Sequence, residues 1–466
     1  MMAKQKTIGA LKKSGYKSLP IKEEIRNNLI RKMRNGEKLF PGILGFEKTV
    51  IPQIENAILA GQDIIFLGER GQAKSRMIRG LVSLLDEEIP VVANCEINDD
   101  PFAPICSSCK EAIEKEGDKV AIEWMARDLR YGEKLATPDI TIADLIGEVD
   151  PIKVAEGRYL SDEFTIHYGL VPRSHRGVFC INELPDLSER IQVGLLNIME
   201  ERDVQIKGYK VRLPLDVYLV ASANPEDYTN RGRIITPLKD RYGSQIRTHY
   251  PQEIEEEIKI MDQERLVFGE VEDLSVEVPD FMKEIVAEFS NLARHSPDVN
   301  QRSGVSVRVS IDNFETLISN AERRAIRINE STAAPRVSDL AYLTTSTMGK
   351  IELESLEDGR ENHLIEDLTK KSVLNVFNRR FNIQEFDDFL IKFDEGLAVD
   401  VSDMMASTDY AGENAALQGL DQAVERLGSK TSPATIASAI EFILEGLHLN
   451  RKLNKDKHDT GMRYKS

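Results

Sequence analysis

The stretch "FLGERGQAKSR", residues 66–76, completes an apolar run that starts at "DIIFLG" (63–68) and precedes Met77, Leu81 and Leu85 at helical spacing. It therefore reads as a loop between a buried strand and a helix. Gly68, Gly71, Lys74 and Ser75 satisfy the phosphate-loop pattern G-x-x-x-x-G-K-[ST], but Ala73 stands where the last glycine belongs. The setting matters more than the pattern, because loop amides and a helix N-terminus then converge on one anionic spot. Glycines let the loop, with Glu69, Arg70, Gln72 and Ala73 in it, fold closely around phosphates. Lys74 neutralises their charge, and the Ser75 hydroxyl is placed to ligate Mg²⁺. The Ala73 methyl costs little at negative φ and about 1 kcal/mol if the loop requires positive φ.

Outward from this loop, short apolar runs alternate with helical patterns from Pro41 onward. The pattern predicts an α/β core, a parallel sheet flanked by helices. A second apolar strand, "GVFCINEL" (177–184), ends in Asn182 and Glu183. A Mg²⁺–nucleotide site calls for two carboxylates there, one for a metal-bound water and one to polarise the attacking water. Asn182 accepts a hydrogen bond from such a water but brings no charge, so Mg²⁺ is expected to be held less firmly. Glu183 remains available as the base.

The chain has 466 residues, 41% hydrophobic and 30% charged, enough to build two to four domains. No run has the ~18 apolar residues of a membrane helix, and the Lys-rich start lacks the apolar stretch of a secretory signal. The cytoplasm is the expected location. A net charge of -17 disfavours a nucleic-acid partner. Within residues 1–40, however, eleven Lys/Arg stand against three Glu. That basic arm reads as a solvated tail or a docking segment. The last seventeen residues, "NRKLNKDKHDTGMRYKS", read as a frayed basic tail with little apolar content to anchor them.

Four segments in order, "GERGQAKSR", "YGLVPRSHRGVFCINELPDL", "LVASANPEDY" and "PLKDRYG", resemble the signature of AAA+ ATPases of the magnesium-chelatase I-subunit and MoxR type, over about Pro41 to Leu343. The resemblance implies an AAA+ core, a helical lid and a six-membered ring that binds ATP and Mg²⁺. It assigns the Walker A loop to Gly68, Gly71, Lys74 and Ser75, and the Walker B pair to Asn182 and Glu183. Asn224 matches the sensor-one residue that orients the lytic water, and Arg241 matches the arginine finger offered to a neighbouring subunit. Arg231 and Arg233 are rival finger candidates, and Arg308 resembles the sensor-two arginine of the lid. The departures at Ala73 and Asn182 lead us to expect a working but slow ATPase.

Residues 147–171 resemble the helix-two insert of this clade. A second hairpin is readable from alternation at Val204 and Ile206, the turn "KGYK", and Val211 and Leu213. In relatives such hairpins pass ATP-driven movement to a partner. Three of the four cysteines lie in "CEINDDPFAPICSSC" (95–109). Cys106-x-x-Cys109 suits one edge of a tetrahedral zinc site, with Cys95 and then Asp99 or Asp100 completing it. Reduced, unligated thiols fit the same spacing.

The chain is expected to divide into a basic arm (1–40), an AAA+ core with hairpin inserts (41–250), a helical lid (251–350) and a helical C-terminal domain (351–466). No motif stands in the last part, and "DVSDMMAS" lacks the D-x-S-x-S spacing of a metal-dependent adhesion site. A von Willebrand A partner, as the resemblance implies, must be a separate chain. The expected activity is an ATP-driven motor that remodels or activates a partner protein. Rival readings are the motor of a true magnesium chelatase for tetrapyrroles, a DNA-linked helicase or activator, and a non-hydrolysing nucleotide-binding scaffold.

Overall fold

The apolar run before the glycine loop forms β1 (Ile64–Leu67). β1 lies inside a five-stranded sheet with β2 (Tyr131–Leu135), β3 (Gly177–Asn182), β4 (Val217–Ala223) and β5 (Ser244–Arg247). The spatial order is β2-β3-β4-β1-β5, and every neighbouring pair is parallel. The computed structural model describes residues 4–149, 165–200, 213–224, 233–268, 274–301, 303–354, 360–411, 419–429, 432–458 and 461–466.

Strand alternation splits the apolar side chains between two cores, one per sheet face. Ile65, Phe179, Ile181, Leu219 and Ala221 enter one, while Ile64, Phe66, Val178, Cys180, Val220 and Ile246 enter the other. Both faces being covered explains why these strands read as continuous apolar runs. The register then fixes the sheet's C-terminal edge. Leu67 lies beside Ala223 and Ile181 beside Ala221, so Gly68, Asn182 and Asn224 emerge from adjacent strand tips.

The expectation of a solvated N-terminal arm does not hold. Residues 8–13 and 21–34 are helices, and Ile8, Leu11, Ile21, Ile25 and Leu29 are buried. The Lys and Arg residues lie between those apolar positions, and net charge hides the helical spacing beneath them. Glu24 is buried and accepts two hydrogen bonds from the Arg130 guanidinium, at 2.7 and 2.6 Å. The same Glu24 carboxylate accepts from the Asp86 amide at 2.7 Å, and Arg130 also donates to the Arg176 carbonyl. This bidentate pair locks the second N-terminal helix to the core.

The first compact unit ends at His249, and Tyr250–Ser466 form a second. The second unit contains α4 (Ile254–Glu264), α5 (Asp280–His295), α6 (Val307–Ile328), α7 (Arg360–Arg380) and α8 (Pro433–Leu449). Phe281 of α5 stacks on Phe442 of α8 with ring centroids 4.5 Å apart. Residues on both sides of position 350 therefore share one core. The C-terminal tail is not frayed. Strands at Asn454–His458 and Gly461–Lys465 pair antiparallel, the second also pairs with Val399–Val401, and Tyr464 is buried. No helix among the described residues is long and apolar enough to cross a membrane.

Replacing Glu24 by Gln leaves the Arg130 charge buried without its counter-charge. The substitution is expected to lower the unfolding free energy by about 3–5 kcal/mol, read as a shift in the denaturant midpoint. An unchanged midpoint would show that this pair does not hold the N-terminal segment.

Candidate active site

The strand ladder carries β1 directly into the glycine loop. The Thr248 amide donates to the Leu67 carbonyl at 2.9 Å, and the Gly68 amide donates to the Ala223 carbonyl at 3.1 Å. A Cβ on Gly68 would collide with Thr248 Oγ1 and Gln72 Oε1, so a larger residue would push both side chains out of place. Thr248 Oγ1 donates to Gln72 Oε1 at 2.6 Å, and Gln72 Nε2 donates to Glu69 Oε2 at 3.1 Å. Gly71 has φ of 76°. Ala73 sits at φ 54°, ψ 16°, just before α1 (Lys74–Gly80). The departure from the glycine pattern is therefore the costly alternative, a methyl held in the left-handed region.

Lys74 is buried, with 8% of its surface exposed. Its ammonium donates to the Glu69 carbonyl at 2.8 Å, to Asn224 Oδ1 at 2.5 Å and to the Gly68 carbonyl. The Asn224 amide bridges onward, Nδ2 donating to Glu183 Oε2 at 2.9 Å. A continuous chain, Lys74–Asn224–Glu183, thus joins the tips of β1, β4 and β3.

Ser222, on β4, supports this chain from below and had no signal in the motif reading. Its hydroxyl donates to Asn182 Oδ1 and accepts from the Glu183 amide at 3.1 Å. A hydroxyl in the otherwise apolar, fully buried strand "VYLVASA" was the available cue. Glu183 itself has φ of 56°, which turns its side chain away from the strand direction and toward Asn224. Ser75 is half-buried at the second position of α1, and Arg70 is exposed.

Arg241 sits on a braced element. In α2 (Glu189–Glu200), buried Gln192 donates to the Leu187 and Arg233 carbonyls at 2.8 and 3.1 Å and accepts from the Ile235 amide at 2.9 Å. This ties the Walker B helix to the start of α3 (Thr236–Arg241). Arg241 ends α3, with Asp240 Oδ2 at 3.1 Å from its guanidinium. Arg233 is exposed, 3.6 Å from Glu189. Arg308 is exposed at the second position of α6 in the second unit. Arg231 and the 204–213 hairpin up to residue 212 lie outside the described residues. The ends of the 147–171 insert are described, and Gly147–Val149 pairs antiparallel with Ile166–Tyr168.

The sequence grouping of Cys95, Asp99, Cys106 and Cys109 is also assembled, their ligand atoms all lying within 4.8 Å of one another. Hydrogen bonds from Cys106 first and then Cys109 hold the Cys95 thiol well below the ordinary thiol range. Burial raises the Asp99 carboxyl. Asp100, the alternative fourth ligand, instead lies 3.7 Å from Arg176. Cys180 stands apart in β3, its thiol pushed up to about 12 by burial.

A parallel sheet of this order, with a lysine-bearing phosphate loop facing a strand-end glutamate and a polar strand-end asparagine, is a P-loop core of the AAA+ kind. Residues 155–238 match the family model of the sigma-54 interaction domain. Over 373 residues the chain is 27% identical to magnesium-chelatase subunit ChlI of Nostoc sp., covering 75% of this chain and 91% of that protein. It is 28% identical over 346 residues to the ChlI subunit of Anabaena variabilis, covering 70% and 94%. A solved chain of the BchI–BchD complex of magnesium chelatase superposes with a TM-score of 0.35 at 19% identity, covering 70% of this chain and 98% of that one. The chain is thus similar to magnesium-chelatase I subunits over most of their length.

Because Ala73 is held at positive φ, Ala73→Gly is expected to raise the unfolding free energy by about 0.5–1 kcal/mol, the relieved strain exceeding glycine's extra unfolded-state entropy. Denaturant unfolding of both proteins checks this. A lower midpoint for the glycine variant would contradict it.

Proposed function

We propose that the protein hydrolyses ATP slowly in a homo-oligomeric ring and uses the cycle to remodel or activate a partner protein. The observation that carries the proposal is the Lys74–Asn224–Glu183 chain, which brings a cation, a polar positioner and a carboxylate to one strand edge. A buried ammonium that donates to loop and side-chain oxygens suits a polyphosphate, which would replace those oxygens.

Lys74 and the amides of residues 68–75 would hold the phosphates, and Ser75 would ligate Mg²⁺. Bound Mg²⁺ would neutralise charge on the transferring phosphoryl group. Asn182 fits that cation less well than an aspartate. Its carbonyl oxygen is neutral and already accepts the Ser222 hydroxyl, which is the reason for expecting slow turnover. Glu183 would polarise the attacking water, and Asn224 would keep that carboxylate and Lys74 in register. Arg241 would complete the site of the neighbouring subunit, and Arg308 would contribute from the lid.

The partner is proposed to be a separate chain bearing a von Willebrand A domain. A role as motor of a tetrapyrrole chelatase is the runner-up, favoured by the names of the ChlI relatives. Production of Mg-porphyrin by the protein with its partner would establish it.

Asn182→Asp is expected to raise kcat at saturating Mg-ATP several-fold. No turnover from either protein would leave the non-hydrolysing scaffold as the reading. Lys74→Ala should abolish turnover and weaken ATP binding. Arg241→Ala should lower turnover about a thousandfold while binding is kept. Mixing the Lys74→Ala and Arg241→Ala proteins should restore part of the activity, since a ring then contains interfaces with an intact loop and an intact finger. Failure of the mixture to recover any turnover would remove the finger assignment.

A further inference from the structure

We propose that Cys95, Asp99, Cys106 and Cys109 form a closed, tetrahedral Zn²⁺ site that staples the segment between the two strands of an antiparallel ribbon. The ribbon pairs Glu88–Val92 with Ile122–Ala126, and the four residues lie in the stretch that joins them. Cys95 and Asp99 belong to the loop leaving the first strand. Cys106 caps the helix Ser107–Glu116, and Cys109 lies in its first turn. A metal would therefore join two halves of the insert that the backbone connects only through residues 100–105.

The spacing already approaches that of a bound site. Zinc–sulfur bonds of about 2.3 Å in a tetrahedron place ligands about 3.8 Å apart. Cys95 Sγ and Cys106 Sγ are 4.0 Å apart, and all four ligand atoms fall within 4.8 Å. All four cysteines of the chain are free.

The backbone is arranged for negative ligands. The Asp99 amide donates to Cys95 Sγ at 3.4 Å, and the Cys109 amide donates to Cys106 Sγ at 3.3 Å. The amides of Ile105 and Cys106 donate to the two Asp99 oxygens at 3.1 and 3.0 Å. A neutral thiol is a weak acceptor, so amides aimed at sulfur are better used by thiolates. Three thiolates and a carboxylate exceed the charge of one divalent cation by two, and these four amides spread that excess.

Asp99 supplies the independent observation. Its carboxylate is fully buried, and among the described residues no Lys or Arg forms an ion pair with it. The nearby Arg176 guanidinium faces Asp100 instead. A buried carboxylate without a counter-charge is costly, and a cation held by the adjacent sulfurs would supply that charge. Sulfur ligands select zinc over Mg²⁺ or Ca²⁺, and burial of Asp99, Cys106 and Cys109 leaves no open position for substrate. The site is therefore structural. Cys106 and Cys109 pack in the same core as Ile8 and Leu11, so the staple would also steady the first N-terminal helix.

The test uses the full chain purified without chelator or added metal. Elemental analysis is expected to find about one zinc per chain. After removal of that metal, titration with Co²⁺ should give thiolate-to-cobalt charge-transfer bands and the visible bands of a tetrahedral ion. Cys106→Ser should lose these bands, and Cys180→Ala should keep them. Asp99→Asn should keep the thiolate bands with affinity lowered 10–100-fold. The melting temperature of nucleotide-free wild-type protein should fall when zinc is stripped and recover when it is restored. Wild-type protein that contains no zinc and takes up no cobalt overturns the proposal. So does a Cys95–Cys106 disulfide in freshly purified protein, and stoichiometric iron in place of zinc overturns the choice of metal.

Discussion

The site depends on a buried ammonium. Lys74 lies where water is largely excluded, so each of its N–H groups must find an oxygen. The glycine loop supplies two carbonyls by curling back over the lysine, and β4 supplies the third acceptor through Asn224. Asn224 reaches that position because Leu67 and Ala223 share a register. Gly68 is required by the same arrangement, since its missing Cβ leaves room for the Thr248 hydroxyl that anchors Gln72. Loop, sheet register and the Glu183 carboxylate are thus parts of one charge-satisfaction problem.

Two positions depart from the usual pattern, and they differ in kind. Ala73 is a conformational cost, a methyl group at positive φ in a loop whose course is set by Lys74 and Gly71. It removes no chemical group from the site. Asn182 is an electrostatic change, because an aspartate could offer one oxygen to Ser222 and a second, charged one to a metal-bound water. The amide keeps the first interaction and gives up the charge. The hydrogen-bonded frame to Ser222 therefore stands with an amide in place of a carboxylate.

Much of this was legible in the residues. The strands at 64–67, 177–182 and 217–223 coincide with apolar runs, and Glu183 and Asn224, at strand ends, converge with Lys74 at the head of the helix after the glycine loop. The cysteine spacing likewise anticipated a compact cluster. The two termini differ from their composition for separate reasons. Composition averages out position, so the lysines and arginines of residues 4–40 masked Ile21, Ile25 and Leu29 on a single helix face. At the C-terminus, strands need a partner, and the pairing of 461–465 with 399–401 spans some sixty residues that local pattern cannot bridge. Ser222 escaped notice because its role comes from the neighbouring strand.

By itself the sequence determined the class of fold, the order of the loop and strand-end motifs, and the chemical groups at the site. These follow from local periodicity and residue type, which act over a few positions. Only the tertiary structure decided the sign of φ at Ala73, the Ser222 support under Asn182, and the meeting of Asn224 with both Lys74 and Glu183. It also decided that Asp99 rather than Asp100 joins the thiols. Each of these is set by strand register or by burial, quantities that arise only when distant segments pack and compete for the same donors and space.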